Sequence, residues 1–242
     1  GVHGVPIGPL PEPIAAMCRN QIAVIDRMVE ATVHGDRNAA LRQFLMQAVI
    51  PPRLEAGWEA FVVHYSPAGW LEALAPICAP YRVIQRTRQY YETKEFSLDR
   101  AADLPPGFQL HLVSPEFLAS GIQGIDLILD EMCSERTSIE DFLAKSFGLV
   151  LVVENQVAGF CMSEYNTGSR CEIGIATFEP YQRRGLATRM TRAFMAHAQA
   201  LGITQIGWHC WGSNLPSVAT ALKAGLQLKH TDPCAVILLQ EK

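Results

Sequence analysis

The sequence predicts an α+β protein with a helical first third, and three observations carry that prediction. Before residue 96 the clearest apolar stripes recur at helical spacing, and after residue 108 short β-type runs alternate with helices. Between them lies Ser97 to Phe108, polar and then Pro-Pro-Gly, the best boundary signal in the chain. The expected organisation is a mainly helical N-terminal region over 1–96, a linker over 97–107 and a second domain over 108–242.

The opening Gly1 to Pro13 is rich in Gly and Pro and is assigned no function. From Ile14 the apolar residues fall at Cys18, Ile22, Ile25, Val29 and Val33, one face of a helix. A second helix, capped by Asp36, would bury Leu41, Phe44, Leu45 and Val49 and stop at Pro51 and Pro52. A short strand is expected over Phe61 to Tyr65, then a helix opened by Ser66 and Pro67 and running to Cys78, then a strand near Arg88 to Glu92.

Past the linker the expected order is strand Gln109 to Val113, helical matter from Pro115 to Phe147, and strands Leu149 to Val153 and Val157 to Tyr165 joined by a Glu-Asn-Gln turn. Strand Arg170 to Phe178 leads into a long helix from about Arg184 to Leu201, striped by Leu186, Met190, Phe194, Ala198 and Leu201 and closed by Gly202. Strand Ile203 to Trp211, a helix from Asn214 to Gly225, and short strands Leu226 to Leu228 and Ala235 to Leu239 complete the chain.

Composition excludes several classes. With 49% apolar and 18% charged residues the 242-residue chain is neither disordered nor collagen-like. Net charge is −4 and neither side of Leu104 is basic, so nucleic acid and anionic membranes are not expected partners. No apolar run approaches the ~18 residues of a membrane span, and a soluble, cytoplasmic protein is expected. The cysteines (Cys18, Cys78, Cys133, Cys161, Cys171, Cys210 and Cys234) are widely spaced in apolar stretches, without CxxC or a nearby HxxxH. They read as reduced core thiols, and no metal site is expected.

The chemistry concentrates in Glu172 to Thr188, where a strand passes through a short turn into the long helix. Such a turn aims free backbone N–H groups and the positive helix end at one point, which suits a phosphate. Gly185 permits close approach, and Arg183, Arg184, Arg189 and Arg192 add positive charge to an acidic chain. The competing reading is a capped surface helix with solvated arginines. No GxxxxGK[ST], GxGxxG after a strand, GxSxG or SxxK is present.

Gln182-Arg183-Arg184-Gly185-Leu186-Ala187 resembles the Q/R-x-x-G-x-G/A signature of the GNAT superfamily of acyl-CoA-dependent N-acetyltransferases. Its context matches as well: a strand before, an amphipathic helix after, a strand ending in Ser213-Asn214, and a helix ending in Ala224-Gly225-Leu226. The resemblance covers roughly Gln109 to Leu239, and the chain is similar to the zwittermicin A resistance-like GNAT proteins, which also carry an extra N-terminal region. It implies a GNAT-type mixed, mostly antiparallel sheet flanked by helices, preceded by a smaller, mainly helical N-terminal domain.

It also implies acetyl-CoA, and hence coenzyme A, as cofactor. The pyrophosphate would sit on the turn N–H groups of Arg183, Arg184, Gly185, Leu186, Ala187 and Thr188, and the pantetheine would pair with Ile175, Ala176 and Thr177. Asn214 would contact the pantetheine and Ser217 the cofactor edge; Asn214 reads equally as a helix N-cap. Two residues are candidates for the proton-accepting group: His209, five positions before Asn214, and Glu172 on the strand before the turn. The alternatives are a hydrogen-bonded core histidine and a solvent-facing carboxylate.

One departure matters. Many relatives carry a Tyr as general acid four residues before the Gly of the final helix, where this chain has Ala221. Water, Ser217 or Tyr181 would then protonate the thiolate, or it leaves unprotonated, or turnover is weak.

Glu116, Asp126, Asp130, Glu131, Glu135, Glu140 and Asp141 make the region after the first domain strand acidic, either to attract an amine or as a solvated face. Trp208 and Trp211 are core, substrate wall or one of each. The expected function is transfer of acetyl to a primary amine of a small molecule by direct attack on the thioester. An acyl-CoA-binding sensor with weak or no turnover, and acetylation of a protein N-terminus or lysine, are the alternatives. The N-terminal region has three readings: a cover over the slot, a homodimer interface, or a degenerate second acyltransferase-like half.

Overall fold

The computed structural model describes residues 60–64, 70–78, 81–93, 104–134 and 136–238. The two expected N-terminal helices, Cys18, the caps Ser66 and Pro67, Glu135 and the linker up to residue 103 lie outside the described residues. The chain divides into two compact units, Gly1–Arg86 with Pro233–Lys242, and Thr87–Asp232. The division falls within strands β2 (Arg82–Thr93) and β8 (Gln227–Leu238).

In the first unit, strand β1 (Ala60–His64) pairs antiparallel with the end of β8, from Ala60 opposite Leu238 to His64 opposite Cys234. Helix α1 (Trp70–Ile77) adds Leu74 to a small core with Val63, Cys78, Ala235 and Ile237.

The second unit holds strands β3 (Phe108–Leu112), β4 (Gly148–Val153), β5 (Gln156–Thr167), β6 (Arg170–Thr177) and β7 (Gln205–Trp211), in the spatial order β2-β7-β6-β5-β4-β3. Among its described strand pairs only β6 with β7 is parallel, apart from an isolated parallel bridge between Gln123 and Gln156. The mixed, mostly antiparallel sheet with flanking helices is the predicted fold class.

Both faces of this sheet are covered, which explains why β4 reads Gly-Leu-Val-Leu-Val-Val without polar alternation. Leu149 and Leu151 point to one face, joining Cys161, Cys171, Ile173, Ile206, Trp208 and Cys210 under helices α5 (Leu186–Ala200) and α6 (Leu215–Ala224). Leu186, Met190, Phe194 and Ala198 of the α5 stripe are buried there as their spacing predicts, whereas Leu201, the last residue of the predicted stripe, is 55% exposed because it caps the helix; full burial of a side chain such as Phe194 stabilises by roughly 1.5–3 kcal/mol. Val150 and Val152 point to the other face, with Phe160 and Met162, under short helices α2 (Pro115–Leu118), α3 (Asp126–Met132) and α4 (Ile139–Lys145).

Several boundaries differ from the sequence reading. The helical stretch 115–147 is broken into three, with Gly121 and Gly124 at positive φ in the first gap and Ser138 capping α4. The β4–β5 turn is tighter than expected: Glu154 and Asn155 both take positive φ (49° and 61°), as a two-residue hairpin requires. The two short final strands are one, because backbone pairing carries β8 through the polar Lys229-His230-Thr231-Asp232. Among the described residues no helix is long and apolar enough to cross a membrane. Five of the six described cysteines are buried and unbridged; Cys133 is exposed, because α3 ends at Met132 and its cap turns outward.

Candidate active site: a parallel strand pair that opens

Strands β6 and β7 pair at only three positions, Arg170 with Gln205, Cys171 with Ile206 and Glu172 with Gly207. Beyond them β6 stays with β5, up to Thr177 opposite Gly159, while β7 stays with β2, up to Trp211 opposite Arg88. The two strands part, and a cleft of about 330 Å³ opens between Ile173–Ala176 on one side and Trp208–Trp211, Asn214 and Ser217 on the other. The edge of β6 facing it has no strand partner among the described residues, so its peptide groups are open to an extended, amide-bearing molecule.

At the end of that edge the chain makes a 3-10 turn over Glu179–Tyr181 and enters α5 through Gly185, at φ 70°. Arg183 also takes positive φ, 61°, a conformation that costs a non-glycine residue about 1–3 kcal/mol and often marks a functional turn. No side chain caps α5, so the N–H groups of its first turn stay available. The Gln182 side-chain amide donates to the Thr177 carbonyl at 2.9 Å, tying the turn to β6. Thr177 Oγ1 is buried without a hydrogen-bond partner at the same corner.

Strand alternation puts a row of polar side chains on the face toward α3. Two glycines in that row make room for carboxylates. A Cβ on Gly174 would overlap the Glu164 carboxylate and lie 3.1 Å from Glu131 Oε1, and a Cβ on Gly207 would overlap the Glu172 carboxylate. Glu164 and Glu131 line the cleft. Glu172 does not; it accepts from Arg170 Nη2 at 2.7 Å, and Arg170 also pairs with Glu92 at 3.3 Å. The Glu172 carboxylate in turn raises the Arg170 pKa further.

His209 lines the cleft from β7, and Arg88 Nε donates to its Nδ1 at 3.1 Å. The Arg88 guanidinium also lies over the Trp211 ring, 4.8 Å from its centre. Trp208, 2% exposed, belongs to the core and donates its indole N–H to Ser217 Oγ at 3.2 Å. Trp211 is half-buried and also lines the cleft. Asn214 caps α6 by accepting from the Ser217 N–H at 3.2 Å, and both residues line the cleft.

Of the residues singled out from sequence, Ile175, Ala176, His209, Asn214 and Ser217 meet at the cleft, and Thr177 with Arg183–Thr188 forms the adjoining corner. Glu172 lies one residue below the opening. Sequence reasoning did not single out Arg88 or Glu164. Arg88 is 121 positions from His209 and only strand pairing joins them. Glu164 had a readable signal, because it continues the apolar face of Phe160 and Met162 with a charge. Among the described residues no group of three or more His, Cys, Asp or Glu is placed to hold a metal ion.

The chain belongs to the GNAT acetyltransferase family, whose model matches residues 16–233. It is 27% identical over 168 residues to the uncharacterized N-acetyltransferase YdfB of Bacillus subtilis (strain 168), a match spanning 69% of this chain and 62% of that protein, less than two thirds of its length. A GCN5-related N-acetyltransferase-like protein from Streptococcus suis shares the fold at TM-score 0.56 and 19% identity, over 73% of this chain and 70% of that one. So does a tandem GNAT protein from the clavulanic acid biosynthesis pathway, solved without acetyl-CoA, at TM-score 0.53 and 12% identity, over 83% and 70%.

Proposed function

We propose that the protein is an acetyl-CoA-dependent N-acetyltransferase that transfers acetyl to a primary amine of a small molecule. The observation that carries this reading is the opening of β6 from β7 beside the uncapped start of α5. The residues present fit the cofactor. The first-turn N–H groups after Gly185 and the Arg183 and Arg184 side chains would hold the pyrophosphate. The free edge Ile175–Thr177 would pair with the pantetheine amides, with Thr177 Oγ1 offering an unused polar atom at the corner. Asn214 and Ser217 would border the arm from α6.

Bound acetyl-CoA supplies an activated acetyl carbon, at which a C–N bond forms, the C–S bond breaks and the sulfur leaves with its electron pair. The protein must first bind an ammonium group and remove its proton. Glu131 and Glu164, together over Gly174 in the cleft, attract the cation, and the Glu164 carboxylate takes the proton and passes it to water. The base role expected of His209 or Glu172 goes to Glu164 in this reading, because Glu164 lines the cleft and Glu172 does not, and Arg88 donates to His209 Nδ1. Ser217 lines the cleft and its Oγ accepts from Trp208, which leaves its own O–H to donate to the departing sulfur. A cytoplasmic location suits a metabolite acceptor.

An acyl-CoA sensor with weak turnover is the second reading. Ala221, wholly buried in the core at the position of the family's Tyr, favours it.

Thermal unfolding with acetyl-CoA, coenzyme A and ATP-Mg tests the cofactor site. A ligand at 100 times its dissociation constant adds about 2.7 kcal/mol, so both CoA ligands should raise the midpoint and ATP-Mg should not. Gly185→Glu should abolish the shift through bulk and negative charge. A thiol-release screen over small amines then separates enzyme from sensor. No shift with either CoA ligand would reduce the turn to a helix cap and end the proposal.

A further inference from the structure

Arg88 and His209 come from strands β2 and β7, which pair so that Arg88 stands opposite Trp211 and Tyr90 opposite His209. Alternation puts all four side chains on the face that opens to the cleft. Arg88 Nε donates to His209 Nδ1 at 3.1 Å, Nη2 of the same guanidinium lies against that nitrogen, and Trp211 supports the guanidinium plane.

A guanidinium carries five N–H donors, no acceptor, and does not deprotonate in a protein. The imidazole nitrogen that receives its hydrogen bonds must therefore present a lone pair. With Nδ1 so engaged, the ring's one proton sits on Nε2, and a second proton would have to displace a cation from Nδ1. The pair holds a neutral imidazole as a hydrogen-bond donor at the wall of the cleft.

We infer that Arg88 is a positioning residue which fixes His209 as a neutral Nε2–H donor, and that this N–H polarises the carbonyl oxygen of the acyl thioester. The inference rests on the acetyltransferase reading. No proton moves in this step, since a neutral imidazole that lost its Nε2 proton would become an anion. The ring stabilises charge as it grows on the oxygen, where a preorganised donor acts most strongly. Base and electrophile are then different residues of one cleft: Glu164 takes the proton from the amine, and His209 draws charge onto the carbonyl.

Three measurements on the full chain test this. In the unliganded protein labelled with nitrogen-15 histidine, the His209 ring should show the Nε2–H tautomer near neutral pH; Arg88→Met, which removes the donors and keeps the stem, should lose that preference, and Arg88→Lys should restore part of it. An Nδ1–H ring or an imidazolium in the wild type overturns the inference without any variant. With acetyl-CoA carrying carbon-13 at the carbonyl, infrared difference spectra should show a band moved to lower frequency, returning toward its solution position in His209→Ala. Calorimetry should find acetyl-CoA affinity little changed in that variant, while turnover falls about 100-fold. Bound acetyl-CoA with the same band position in wild type and His209→Ala overturns the donor role and leaves the acetyltransferase reading standing. Failure of the wild type to bind acetyl-CoA removes that reading, and the donor role with it.

Discussion

The two ends of the β6–β7 pair are built from the same parts and used differently. At the closed end, a carboxylate from Glu172 lies over Gly207 and is paired with Arg170. At the open end, a carboxylate from Glu164 lies over Gly174 with Glu131 beside it and lines the cleft. In each case a missing Cβ makes room for a charged group on the same face of the sheet. The Glu172 carboxylate is held by Arg170 where the strands pair, and the Glu164 carboxylate lines the cleft where they part, so a fastening at one end stands against a cleft wall at the other.

The largest test of that comparison removes one carboxylate at a time. Glu164→Gln should lower kcat/KM for the amine found by screening by about 10²- to 10⁴-fold, the usual worth of a positioned general base, with acetyl-CoA affinity unchanged. Glu172→Gln should lose far less activity and show its effect in stability. Equal kinetic losses would mean that the two ends do not differ in function.

A second test concerns the core behind the closed end. Cys171 on β6 pairs with Ile206 and is fully buried, and burial, with a smaller contribution from the Glu172 carboxylate, pushes its thiol up to about 12. Cys161, on the neighbouring strand, is raised in the same direction by burial. A folded-state value above the ordinary 9.0 means the unfolded chain loses its proton first as pH rises. The stability from burying the neutral thiol is therefore complete below pH 9 and lost between about 9 and 12, at up to about 1.4 kcal/mol per pH unit. Urea unfolding of wild type and Cys171→Ala at several alkaline pH values should show a shallower decline in the variant. Parallel curves would show that the thiol is not sequestered.

Much of this was readable from the residues. The α5 stripe, the Gly185 turn and the Asn214 cap are local patterns, and each formed where its spacing put it. Strand β2 was harder: only Arg88 to Glu92 read as a strand, because charged Arg82 and Arg86 interrupt a run that extends over Arg82–Thr93. That same strand brings Arg88 to His209, so the least legible element supplies a partner for the most legible candidate. Glu164 against Glu172 could not be decided from spacing, since both are strand carboxylates and are directly opposite one another across β5 and β6. Which one faces a cleft depends on where β6 leaves β7, and that is a property of the sheet rather than of either strand.

The smallest effects should come from filling the two glycine gaps, and their signs should be opposite in kind. Gly174→Ala puts its methyl against the end of the Glu164 side chain, which can swing aside, so stability should hardly change while turnover falls because the carboxylate has left its place. Gly207→Ala pushes on a carboxylate that Arg170 holds at 2.7 Å, so the fastening must break or the strands must shift. Arg170 is 44% exposed on its side chain, and a partly screened pair of this kind contributes no more than about 1 kcal/mol, a fall in melting temperature of roughly 2–4 °C for a chain of this size. Thermal unfolding and steady-state kinetics on the same two variants decide the matter. Activity lost at Gly174 with stability kept, and stability lost at Gly207 with activity largely kept, is what separates a site from a fastening; the reverse pattern would place the working carboxylate at the closed end.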